Sequence, residues 1–278
     1  MISADALIAQ TPHLPSPPQT LIKLLGMLDA DTADARAVGD AVECDIGLSV
    51  RTLQLANSSF YGLSRRVTSI HEAVTILGLN TVRRLVLAVG SAGLMSLPPA
   101  LSAVLPGLVL HSTRCASLAR VLAAPAELSE NEAFTAGMLH DVGKIVIAHA
   151  FPDIDVAARR AVIVKGDVDA ERALCGYDHC QLGHALLNHW RLPSMLVDVT
   201  RMHHASPAEM SRPVALVALA DGLAQCAPEA LEAWDATAPA WAGLVDRALA
   251  GAPAPSPAQL QAAVAEAAAF THVLGAGQ

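Results

Sequence analysis

The sequence predicts an all-α protein: an N-terminal bundle of short helices packed on a second helical subdomain. Three observations carry this. Ala and Leu dominate, and aromatic residues make up only 3% of the 278 residues. Long β-branched alternations, which a strand would need, are scarce. Helix start and stop residues recur along the whole chain. A hydrophobic content of 53% is ample for a sizeable core.

The elements follow from this punctuation. After Leu14-Pro15-Ser16-Pro17-Pro18 a helix is expected over about Gln19 to Leu28. Thr32 can cap a second, ending near Cys44, and Asp45 a third, with Ile46, Val50, Leu53 and Ala56 on one apolar face. That helix stops at Asn57-Ser58-Ser59. Ser69 and Glu72 have capping-box spacing for a helix through Leu77, which Gly78 stops. Asn80 opens the next, carrying Val82, Leu85, Val86 and Val89. Residues 1–100 are thus read as one helical subdomain and 101–278 as another.

In the second part, a helix is expected from Gly107 to Ala123, after Pro106. Ser129 and Glu132 form another capping box. Further helices are read over about Ile154–Val164, Asp169–Leu174, His179–Trp190, Ser194–Met202, Val214–Cys226, Leu231–Ala248 and Ser256–Leu274. Pro207 and Pro213 bracket a loop, and Ala252-Pro253-Ala254-Pro255 is a short linker.

Composition excludes several function classes. Net charge is −8, nearly all of it beyond residue 100. A nucleic-acid footprint would need the opposite sign. The pairs Arg65-Arg66 and Arg83-Arg84 are read as solvated helix ends. Cys44, Cys115, Cys175, Cys180 and Cys226 form no CxxC pair, which points to reduced thiols in a cytoplasm. No basic stretch followed by an apolar one marks a signal peptide. Leu85 to Leu110 lacks charge over a membrane-spanning length. Its glycines, serines and prolines break it instead into a helix, a turn and a second helix, with no membrane span.

The most telling stretch is Ala133 to Ala148. Only Thr135, His140, Asp141 and Lys144 are polar in it. A carboxylate inside such an apolar, helix-like run is costly unless paired or metal-bound. Asp221 ends a second apolar run, Val214 to Ala220. With these belong His111, His140, His179, His184, His189, His203 and His204 as candidate ligands, all on or at the ends of predicted helices. Imidazole and carboxylate together suit divalent ions such as Fe, Mn and Zn, and Mg is a further candidate. Plainer alternatives stand beside each. His184 and His189 read as ordinary core or surface histidines, and His203-His204 can pair with helix-end carbonyls. Lys144, one turn after His140-Asp141, either neutralises Asp141 or holds a substrate phosphate.

These residues lie in segments that resemble the HDOD family, the HD-related output domain relatives of HD phosphohydrolases. The N-terminal resemblance rests on Leu14-Pro15-Ser16-Pro17-Pro18, on Leu53 to Gly62, on Val67 to Ala73 and on Leu77-Gly78-Leu79. The C-terminal one rests on Ala136 to Lys144, Tyr177-Asp178-His179, Gly183, Trp190-Arg191-Leu192-Pro193, His203-His204 and Ala220-Asp221. It covers about residues 12 to 226. The resemblance implies an all-α fold with an HD-like C-terminal subdomain. It also implies a bacterial signalling or regulatory module, in a family without established catalysis. Many members have lost the metal ligands of the true enzymes, whereas this chain keeps them. The enzymes' H…HD…D pattern falls on His111, His140, Asp141 and Asp221. A second-metal pattern of the related HD-GYP phosphodiesterases falls on His179 with Gly183 and on His203-His204. Their GYP signature is absent, since Ala205-Ser206-Pro207 follows.

Two functions compete at this point. The first is a cytoplasmic signal-transduction module that acts through a signalling protein partner or a bound nucleotide or phosphorylated ligand, with a retained metal site. The second is a metal-dependent phosphohydrolase or phosphodiesterase. There His111, His140, Asp141 and Asp221 hold one ion, His179, His203 and His204 a second, and Asp141 and Lys144 serve the chemistry.

Overall fold

The computed structural model describes residues 2–11, 34–43, 46–64, 66–94, 97–190 and 192–273. Among these the chain is helical, with no strand. The expected helix from Gln19, the Thr32 and Asp45 caps and the proline motif at 14–18 lie outside the described residues.

The first part contributes α1 (Ala4–Gln10), α2 (Ala35–Glu43), α3 (Ile46–Ala56), α4 (Ile70–Leu77) and α5 (Leu79–Leu94). Ser3 caps α1, a helix absent from the sequence reading. Helix α3 buries Leu48, Thr52, Leu55 and Ala56, while Val50 is exposed. The expected stripe through Val50 was thus turned about the axis, because α2 and α4 dock on the neighbouring face. Ser69 caps α4 by position but without a side-chain hydrogen bond. The capping box expected there is not formed.

The second part opens with a 3-10 turn (Pro99–Val104), then α6 (Leu105–Ala123), α7 (Glu130–Leu139) and α8 (Gly143–Ala150). Helices α9 (Val156–Lys165), α10 (Val168–Cys175), α11 (His179–His189) and α12 (Ser194–Met202) follow. The chain closes with α13 (Arg212–Gln225), α14 (Pro239–Leu249) and α15 (Pro257–Val273). The single helix expected over Leu231–Ala248 is instead a 3-10 turn, Pro228–Ala233, followed by α14. Pro239 stands in the first turn of α14, where its missing N–H costs nothing.

Helix α6 is the axis of the molecule. It packs most extensively on α7, α13 and α15. The buried apolar residues form one cluster from Ile8 to Phe270. A buried ion triad also ties the parts together. Glu266 of α15 accepts from Arg84 of α5 at 2.9 Å and from Arg120 of α6 at 2.7 Å. The solvated reading of Arg84 is therefore overturned: its side chain is only 11% exposed and faces a carboxylate from the far end of the chain. Among the described cysteines, Cys115, Cys175, Cys180 and Cys226 are free thiols. No described helix is long and apolar enough to cross a membrane.

Candidate metal centre

The apolar run from Ala133 to Ala148 is not one helix. It breaks at His140-Asp141-Val142, between α7 and α8. This corrects the expectation of a continuous helix. The break lets His140 and Asp141 turn into the core instead of following one helical stripe. Helix α8 then runs close against α11. A Cβ on Gly143 would stand 1.9 Å from the His179 carbonyl oxygen, so only glycine allows this approach.

Six helices and their ends deliver the candidate residues: His111 from α6, Asp221 from α13, and His179 from the first turn of α11. His140 and Asp141 come from the α7–α8 break, and His203 and His204 from the end of α12. Asp178 sets the start of α11, accepting from Gln181 N while Gln181 Oε1 accepts from Asp178 N.

Asp141 is the hinge of the site. Its Oδ2 lies 3.5 Å from Nε2 of both His111 and His140. Asp221 Oδ1 closes that group, 3.0 Å from His111 Nε2 and 3.7 Å from His140 Nε2. The other oxygen, Oδ1, lies 3.3 Å from His179 Nε2 and 3.8 Å from His203 Nε2. The two imidazole pairs meet nitrogen to nitrogen, His111 with His140 and His179 with His203, each at 3.2 Å.

The far side of three rings fixes their tautomers. His140 Nδ1 donates to Gly137 O at 2.7 Å and His203 Nδ1 to Thr200 O at 3.0 Å. His179 Nδ1 donates to Glu171 Oε2 at 2.7 Å. Carbonyls and carboxylates only accept, so Nδ1 carries a proton in each ring, and Nε2 is the nitrogen that faces Asp141. Glu171 is fully buried and also accepts from the His179 backbone N–H. Sequence reasoning missed it. In Asp169-Ala170-Glu171-Arg172 it looks like any surface acid, and no local pattern marks it.

The electrostatics suit cation binding. Burial alone would raise the Asp141 carboxyl, but Lys144 and the surrounding imidazoles outweigh it and hold it well below the usual range. Asp221 is lowered too, the His111 hydrogen bond and His140 overcoming burial. Burial lowers His140, His203 and His204, which keeps these rings neutral. Cys180 Sγ lies 3.9 Å from His203 Nε2. Burial pushes its thiol far up, so it stays S–H rather than a thiolate ligand.

The donor set passes a geometric test. A divalent ion with bonds of about 2.1 Å spaces adjacent donors about 3.0 to 3.4 Å apart. The separations here run from 3.0 to 3.8 Å and overlap that span. His111, His140 and Asp141 form one group able to hold a metal ion, and His179, Cys180, His203 and His204 another. His184 and His189 stay outside both, and His184 pairs with Asn188.

Lys144 is buried, its Nζ 2.5 Å from Asp141 Oδ2, and Asp141 raises its pKa against the effect of burial. Gly166 packs against it at the end of α9. Its φ of +64° favours glycine, and a Cβ would come within 2.9 Å of Lys144 Nζ. A cavity of about 400 Å³ opens beside the cluster, with His111, Asp141, Lys144, His204 and Asp221 in its wall.

A family model described as the HDOD domain matches residues 14–206. An HDOD domain protein of unknown function from Geobacter sulfurreducens superposes with a TM-score of 0.71 at 25% identity, over 99% of this chain and 95% of that one. A Shewanella amazonensis protein named "Putative phosphohydrolase" gives 0.70 at 25% identity, over 97% of each chain. An uncharacterized protein of Treponema pallidum is 25% identical over 210 residues, 72% of this chain. The chain spans about two fifths (39%) of that curated relative's length.

Proposed function

Because the chain belongs to the HDOD family, we propose that it is a signal-transduction module whose His/Asp cluster binds divalent metal and hydrolyses a phosphoester. The observation that carries this is the Asp141 carboxylate. Its two oxygens face two separate sets of Nε2 atoms at the edge of an open cavity. Such an arrangement would let Asp141 serve as a ligand beside either set of Nε2 atoms. The name of the Shewanella amazonensis neighbour points the same way.

His111, His140, Asp141 and Asp221 would hold one ion, and His179, His203 and His204 with Asp141 a second. The imidazole-rich set favours Fe, Mn or Zn over Mg, which takes oxygen ligands. Bound metal of this kind polarises a phosphoryl oxygen and acidifies a coordinated water. The protein's own residues do the rest. Glu171, Gly137 O and Thr200 O orient the rings and keep them in the ligating tautomer. Lys144, already in the cavity wall, gives its charge to the phosphate.

A second reading is favoured by one contact. Lys144 Nζ rests on the Asp141 oxygen that a first ion would need. A module that binds phosphorylated ligand without turnover would use the same cavity. Elemental analysis and hydrolysis of p-nitrophenyl phosphate and bis(p-nitrophenyl) phosphate separate the readings. Hydrolytic function requires about one or two divalent ions per chain, lost together with turnover in Asp141→Ala. Metal without turnover supports the second reading. Protein that stays metal-free after reconstitution with Mn, Fe and Zn refutes the hydrolytic reading and favours the binding module.

A further inference from the structure

The cavity beside the cluster has three cationic side chains in its lining. Its outer wall is built by α9, and Lys144, Arg160 and Lys165 all line it. Two of these cations are already matched. Lys144 sits on Asp141 at 2.5 Å, and Lys165 on Asp167 at 3.0 Å. Arg160 alone forms no ion pair with any described residue, although it lines a cavity whose inner end is built from metal-ligand side chains.

Arg160 is held at that rim by a rigid support. Its neighbour Arg159 is buried and donates from Nη1 to Ala148 O at 2.9 Å, fastening α9 to the end of α8. The helix begins with Asp155 capping Ala158 N and ends at Gly166, which packs on Lys144. Arg160 and Val164 are four residues apart and so share one face. Val164 lines the same cavity and is 65% exposed. The volume of about 400 Å³ suits a small ligand. The described lining contains no Phe, Tyr or Trp on which a base would stack.

From this placement we infer that the site takes a phosphoester bearing a second anionic group. Its phosphoryl end lies at the His/Asp cluster, and a second phosphate or carboxylate is clamped by Arg160. The inference rests on the phosphoester reading above and specifies the ligand class. A guanidinium fork engages such a group through two parallel hydrogen bonds, which a lysine ammonium does not reproduce. Arg160 is a specificity residue here, remote from the reacting phosphorus.

The test is calorimetric titration of Mn²⁺-loaded full-length protein with fructose 6-phosphate and with fructose 1,6-bisphosphate, at fixed ionic strength. The wild type is expected to prefer the bisphosphate about tenfold or more, in line with one added charge-assisted contact. Arg160→Ala brings the ratio of the two affinities close to one. Arg160→Lys retains part of it, and Arg36→Ala, far away on α2, keeps the wild-type ratio. Equal affinities in the wild type, or an undiminished preference in Arg160→Ala, overturn the second-anion subsite while monophosphate binding still upholds the phosphoester reading. Binding of neither ligand by metal-loaded protein overturns that reading and the subsite with it.

Discussion

Replacing Gly143 with alanine adds one methyl group where two helices touch through their backbones. The new Cβ would lie 1.9 Å from His179 O and 2.6 Å from Gly183 N. Unbonded carbon and oxygen need about 3 Å, so α11 must withdraw by more than about 1 Å. Overpacking by a single methylene costs about 1–3 kcal/mol, and a backbone obstacle belongs at the upper end. Alanine's better helix propensity returns at most about 1 kcal/mol. The net expectation is a loss of about 2 kcal/mol in urea denaturation of metal-free protein. The shift also moves His179 away from Asp141, so metal affinity should fall about 10- to 100-fold, the scale seen when ligand orientation is disturbed. Gly222→Ala supplies the control. There the Cβ would meet Trp241 Cζ3 at 2.7 Å, the tip of a side chain that can swing aside, and the cost should stay below about 1 kcal/mol. A Gly143→Ala protein as stable as wild type, with undiminished metal binding, would refute the close-approach argument.

Three further outcomes are expected. Glu266→Ala strands Arg84 in the interior and leaves Arg120 to Glu130, 3.5 Å away, and the folded state should lose about 3 kcal/mol, the lower part of the range for breaking a buried ion pair, since Arg120 is 22% exposed and keeps that second partner; an unchanged thermal midpoint would show the triad to be energetically idle. Stability of the metal-free protein should fall as pH drops below about 6.5, because the unfolded chain then protonates imidazoles that burial keeps neutral at His140, His203 and His204. Both these rings and the lowered Asp141 and Asp221 bind fewer protons folded than unfolded, so the sign is the same throughout, and urea midpoints that rise between pH 7.5 and 5.5 would contradict it. Burial pushes the Cys175 thiol up to about 11, so peptide mapping should find its alkylation at pH 8 roughly two orders of magnitude slower than that of glutathione; comparable rates would disprove it.

Much of the fold is written locally. Ser129 caps α7, its side chain accepting from Glu132 N, although the reciprocal Glu132 side-chain bond of the expected capping box is not formed. Gly78 and Pro106 mark real boundaries. Other features needed tertiary knowledge. Val50 fits an apolar stripe of α3 as well as Leu48 does, and only docking decides between them. The break at His140–Val142 is hard to read in a run so apolar, since the nearest glycines, Gly137 and Gly143, stand within α7 and α8 rather than at the turn itself. The candidate ligands could be named because histidines and lone aspartates stand out against alanine and leucine. The structure gathers His111, His140, Asp141, His179, His203, His204 and Asp221 at one place, and leaves His184 and His189 aside. Glu171, Arg160 and the partner of Arg84 escaped notice because their roles depend on distant residues that no local pattern names.

The chain's two ends are exchanged across the molecule. Helix α1, from the first few residues, packs on α11 and α8, and Tyr177 Oη donates to Ile2 O. Helix α15, from the last few, packs on α3 and holds Arg84. A cut near residue 100 would therefore leave each fragment without a wall that the other carries. Neither fragment could close its own interior, so melting should proceed as one event with a single calorimetric peak.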